Sequence, residues 1–108
     1  MPDNNSTVSN ESRPLALLYK TDLSVEGIKP ANGRYFKLEE MQAYVGGLIE
    51  IIPLDGDVLE DKLLVVNEEG KLENLPLNIL ATIEWVKYYG QTDYVSGDCI
   101  ICHPSFIR

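Results

Sequence analysis

Basic residues are scarce in this chain. Nine Lys and Arg stand against 17 Asp and Glu, a formal net charge of −8. The nine are scattered singly, so no patch is available to displace counterions from a nucleic acid. A nucleic-acid contact would need a stripe of Lys20, Lys29, Arg34 and Lys37, which the pattern does not predict. The same balance opposes docking on an anionic membrane and suits a partner with a basic surface. Long hydrophobic runs are also missing, and none approaches the ~20 residues of a membrane helix. Met1 to Pro14 carries neither a basic n-region nor an apolar h-region. A cytoplasmic setting with reduced cysteines is therefore expected.

Histidine occurs once and cysteine twice, which narrows the chemistry further. Cys99-Ile100-Ile101-Cys102-His103 spells the attachment pattern of c-type haem. It lies in a β-rich run, where the two thiols are expected on opposite sheet faces. A zinc site has only these three ligands and no second cysteine pair. A redox cysteine pair needs a helix N-terminus to stabilise its thiolate, and His103-Pro104 follows instead. Ser96 and Ser105 have no glycine frame of a nucleophile elbow. Gly46-Gly47 follows a helical pattern and lacks the Lys-Ser/Thr pair of a phosphate loop. Asp55-Gly56-Asp57 lacks the remaining ligands of a calcium loop. No catalytic residue, metal ligand or cofactor is expected from these patterns.

What is present suits a small globular domain. The chain has 108 residues, 44% of them hydrophobic, enough for one domain with one modest core. Residues 1–13 are mostly Asn, Ser and Asp and are expected as a disordered polar tail, leaving 14–108 as the single folded domain. Leu15 to Lys20 reads as a buried strand, and the Asn32-Gly33 pair as a turn. Lys37 to Val45 places Leu38, Met41 and Val45 at helical spacing, with Gly46-Gly47 as the stop. Leu48 to Leu54 and Leu63 to Val66 read as strands, with Lys71 to Leu75 as a short hairpin arm. A second helix is predicted from about Pro76 to Tyr89, its apolar stripe at Leu80, Ile83 and Val86. Trp85 is offset from that stripe. The last strand is predicted over Tyr94 to Cys102. The implied class is α+β: a small mixed or antiparallel sheet of about four to five strands, with two helices packed on one face.

Two groups of polar residues are candidate sites. Asp55, Asp57, Glu60, Asp61, Glu68, Glu69 and Glu73 form the largest charge feature and would meet a basic protein partner. Asn67, Asn78, Tyr88 and Asp98 are the alternative, a pocket for a nucleotide or another small ligand, with or without catalysis. An exposed patch of Trp85, Tyr88 and Tyr89 would mark an interface, a homodimer contact included.

One stretch of the chain carries a family resemblance. Tyr44-Val45-Gly46-Gly47-Leu48-Ile49-Glu50-Ile51-Ile52-Pro53-Leu54 is followed by Val65-Val66-Asn67-Glu68-Glu69-Gly70-Lys71-Leu72, then Leu75-Pro76-x-Asn78 and Gly97-Asp98-x-Ile100-Ile101. Over roughly residues 15–102 this resembles a small domain-of-unknown-function family common in bacteriophage, plasmid and conjugative-element proteins. The resemblance implies an accessory module of a mobile element or its host and carries no catalytic residue to transfer. The expected function is thus non-enzymatic binding through the acidic surface.

Overall fold

The computed structural model describes residues 16–55 and 62–108. The polar tail and three of the candidate acids, Asp57, Glu60 and Asp61, lie outside the described residues. Five strands form one antiparallel sheet: β1 (Ala16–Tyr19), β2 (Val25–Gly27), β3 (Ile49–Leu54), β4 (Lys62–Asn67) and β5 (Cys99–Cys102), in the order β2-β1-β5-β4-β3. Two helices, α1 (Leu38–Val45) and α2 (Ile79–Tyr89), and a 3-10 turn at Pro104–Phe106 complete the α+β architecture. None of the described helices is long and apolar enough to cross a membrane.

The central strands are apolar on both sides, and that decides where the helices go. In β4, Leu64 and Val66 face one way and Val65 the other; in β5, Cys99 and Ile101 oppose Ile100 and Cys102. A strand buried on both faces needs a cover on each. Met41 and Val45 of α1 pack with Ala16, Leu18, Val65, Ile100 and Cys102 on the first face. Ala81, Trp85 and Tyr88 of α2 pack with Leu54, Leu64, Val66, Cys99 and Ile101 on the second. The helices therefore flank the sheet rather than share a face, which corrects the single-faced arrangement expected above. Phe106 and Ile107 close the end of the first cluster, where Phe36 N–H donates to the Phe106 carbonyl at 2.9 Å.

Each helix is bounded by local chemistry. Glu40 accepts the Lys37 N–H at 2.9 Å and the Ala31 N–H at 2.8 Å, joining the start of α1 to the preceding turn. Those bonds hold its carboxyl below the usual range. Gly46 ends α1 in the left-handed region at φ 82°, which a residue with a Cβ enters at a cost. Helix α2 starts at Asn78, whose side chain accepts the Ala81 N–H at 2.9 Å.

The elements differ from expectation at four places. Val25–Gly27 adds a short edge strand that the sequence pattern did not lead one to expect. Lys71 to Leu75 is a run of turns, not a hairpin arm, with Asn74 at φ 56°. The last strand is shorter, because Gly97 at φ 88° breaks the extended run before Cys99. In α2 the stripe Leu80, Ile83 and Val86 is not the buried face: Ile83 is 51% exposed, while Ala81 is fully buried.

Gly70 and Gly46 separate two kinds of glycine requirement. A Cβ on Gly70 would sit 2.8 Å from the Ser96 carbonyl, whereas at Gly46 the space is open. Gly70→Ala is expected to cost about 1–3 kcal/mol through overpacking, and Gly46→Ala about 1–2 kcal/mol through φ alone. Urea unfolding of both variants checks the order.

Candidate functional site

A groove of about 580 Å³ runs beside β3 on the α2 side of the sheet. Its size falls in the ordinary range for binding clefts. Glu50, Ile52, Val66 and Glu68 line it from the hairpin of β3 and β4. Trp85 and Tyr89 line it from α2, and Gly70, Lys71, Leu72, Asp93 and Tyr94 from the facing turns. The two α2 aromatics stack with ring centroids 4.3 Å apart. Trp85 Nε1 donates to Thr92 Oγ1 at 3.3 Å, and the Tyr89 hydroxyl donates to the Pro53 carbonyl. These bonds hold the aromatic wall in place.

Charge in the groove is acidic. Lys71 pairs with Asp93 and lies over the Tyr94 ring, 4.4 Å from its centroid. The pairing with Lys71 holds the Asp93 carboxyl below its usual range. Lys71 is thus matched, and Glu50 and Glu68 are left as the net charge of the lining. Apolar surface is unusually open here: Leu72 is 82% exposed and Tyr94 49%.

The seven candidate acids do not form one described surface. Asp55 follows the last residue of β3, whereas Glu68, Glu69 and Glu73 follow the last residue of β4. The strands are antiparallel, so these groups occupy opposite ends of the hairpin, about 20 Å apart. Of the four, Glu68 lines the groove; Glu69 and Glu73 are exposed beside it.

The four candidate ligand residues are dispersed as well. Asn67 borders the groove, but its side chain turns toward α1: Nδ2 donates to the Val45 carbonyl at 3.2 Å, and Oδ1 accepts the Glu69 N–H at 2.8 Å. Asn78 is fully buried, its Nδ2 donating to the carbonyls of Tyr19 at 2.9 Å and Gly97 at 2.8 Å. Tyr88 packs beneath α2 with its hydroxyl buried. Asp98 accepts the Thr21 N–H at 3.0 Å. Only Asn67 touches the groove. Sequence reasoning missed Glu50, Leu72 and Tyr94, and its pointers to the groove were Asn67, Glu68 and the aromatics Trp85 and Tyr89.

The cysteine motif is divided by the sheet. Cys99 belongs to the α2-side cluster and Cys102 to the α1-side cluster, as the strand period requires. Burial pushes the Cys99 thiol up to about 12 and the Cys102 thiol up to about 11. His103 is exposed, and its Nδ1 accepts the Ser105 N–H at 3.0 Å, shaping the C-terminal turn. Among the described residues, no three His, Cys, Asp or Glu side chains gather as metal ligands would.

Asn78 distinguishes a structural role from a ligand role. Asn78→Ala removes a cap worth about 1 kcal/mol and strands two buried carbonyls, for a loss of about 2–4 kcal/mol in urea unfolding. Asn78→Asp keeps the cap but turns a carboxylate toward those carbonyls, and is expected to be at least as damaging.

The thiols provide a pH prediction. In the unfolded chain they ionise near 9, so their neutral burial favours the folded state fully below that pH. That contribution falls as pH rises from about 9 toward the folded values near 11 and 12. Native protein at pH 8 is expected to react with neither thiol toward an aromatic disulfide reagent, and denatured protein with both.

No curated protein and no solved structure matches the chain. A family described as Domain of unknown function (DUF3846) matches residues 17–105, which takes in β1 from Leu17, the other described strands, both helices and all the groove residues. The chain belongs to this domain-of-unknown-function family.

Proposed function

We propose that this domain is a non-catalytic binding module whose groove beside β3 takes a segment of a protein partner. The observation that carries the reading is an open groove with an aromatic wall and an unbalanced pair of carboxylates, Glu50 and Glu68. Exposed apolar surface of this kind gains by being covered, and the carboxylates favour a basic segment. Three of the four alternative ligand residues, Asn67, Asn78 and Asp98, bond to backbone, and the fourth, Tyr88, has its hydroxyl buried away from the groove. The acidic contact surface thereby contracts to the groove rim, with Glu69 and Glu73 beside it. A mobile-element setting rests on the family resemblance alone.

The test is native mass spectrometry of the protein purified gently from its source cells, compared with groove and off-groove variants. Leu72→Asp with Tyr94→Asp is expected to lose a co-purifying protein, an effect of at least about tenfold in affinity. Glu39→Lys, on the exposed side of α1 across the sheet, is expected to retain it. A folded groove variant that keeps its partner would overturn the reading. A co-purifying small molecule would instead favour ligand binding.

A further inference from the structure

We infer that the partner segment binds as an added β-strand on the outer edge of β3, an inference that rests on the groove being the binding site. Among the described residues, β3 is the terminal strand of the sheet. The Leu48 carbonyl accepts the Glu68 N–H at 2.8 Å, which sets the parity of the ladder. Leu48, Glu50, Ile52 and Leu54 then direct their backbone groups at β4, and Ile49, Ile51 and Pro53 direct theirs outward. The sequence agrees, since Pro53 has no N–H to offer a neighbour. Its carbonyl takes the Tyr89 hydroxyl, so α2 closes the edge at that end. Ile49 and Ile51 are left with two N–H and two C=O groups that bond no described backbone group. They are two residues apart, about 7 Å, the repeat an extended peptide needs to pair with both.

The edge and the groove are continuous, because Ile51 and Pro53 line the groove themselves. Alternate side chains of an added strand would fall over the groove, toward Leu72, Tyr94 and Trp85. Charge then selects the strand. Glu50 and Glu68 favour Lys or Arg on the incoming segment. A second copy of this chain is a poorer occupant, for it brings another formal charge of −8. In a symmetric pairing about Ile51, each Ile49 carbonyl would also face a Pro53 without a donor. A basic, extended segment of a different protein has neither defect.

The test uses amide hydrogen exchange by NMR with a short peptide of alternating lysine and valine as probe. In the free protein the Ile49 and Ile51 amides are expected to exchange rapidly, while Glu50 and Ile52 are protected. Saturating peptide should slow Ile49 and Ile51 by at least about tenfold and leave Glu50 and Ile52 unchanged. The same peptide with alternate amides N-methylated should bind at least about tenfold more weakly, as read by the fluorescence of Trp85, the only tryptophan. Equal binding of both peptides, weakened by Leu72→Asp but with Ile49 and Ile51 unprotected, would overturn strand addition and leave the groove reading standing. Slow exchange at Ile49 and Ile51 in the free protein would overturn it too, by showing the edge already covered. Absence of any peptide-induced shift at groove residues would overturn both.

Discussion

The side chain of Asn78 joins the parts on which the rest of the structure depends. Its Nδ2 spans the carbonyls of Tyr19 in β1 and Gly97 before β5, while its Oδ1 caps α2. Its backbone N–H donates to the Val95 carbonyl at 2.8 Å, and Thr82 one turn on accepts the Val95 N–H at 3.0 Å. Those bonds fix both the position of α2 and its rotation. With that rotation Ala81, Trp85 and Tyr88 meet the sheet, Leu80 and Val86 are half-buried at its flanks, and Ile83 faces outward. The amide is completely shielded from water, where an unpaired polar group is costly, so the arrangement has little freedom to drift.

The groove is a consequence of the path this sets for α2. The helix begins beside β1 and β5 and ends at β3, where Tyr89 reaches the Pro53 carbonyl. Turns on either side of the Leu77–Ser96 bridge approach the same face from the other direction. Gly70 permits that approach, lying against the Ser96 carbonyl where a side chain would collide. Between the aromatic end of α2 and these turns, part of the β3–β4 hairpin is left without a cover among the described residues. Its residues there mix aliphatic and acidic character, in contrast to the continuous apolar runs beneath the helices.

The side chains with most chemical potential elsewhere in the chain are engaged in the fold. The two thiols are buried on opposite faces and kept neutral by burial. The histidine organises a terminal turn, and the two buried asparagines bond to backbone. What the described residues leave open at the groove is apolar surface, carboxylate charge and a strand edge. Those are the ingredients of the recognition proposed above.

By itself the sequence determined the α+β class, the family, and the cores of β1, β3, β4 and both helices. These follow from local rules: apolar runs, helical spacing, and glycine or asparagine at the ends. LLVV and CIIC also carried the signal of two-sided burial, since an unbroken apolar run has no solvent face. Only tertiary structure decided that the helices flank the sheet, which face of α2 is buried, and where the acids fall. Turns and strand direction send Asp55 and Glu68 to opposite ends of one hairpin, although 13 positions separate them in the chain. The groove was invisible for the same physical reason. Glu50 reaches it through the β3–β4 pairing, Leu72 through the close approach of Gly70 to Ser96, and Trp85 on the helix that Asn78 bonds to residues 59 and 19 positions away, and no local pattern encodes contacts of that span.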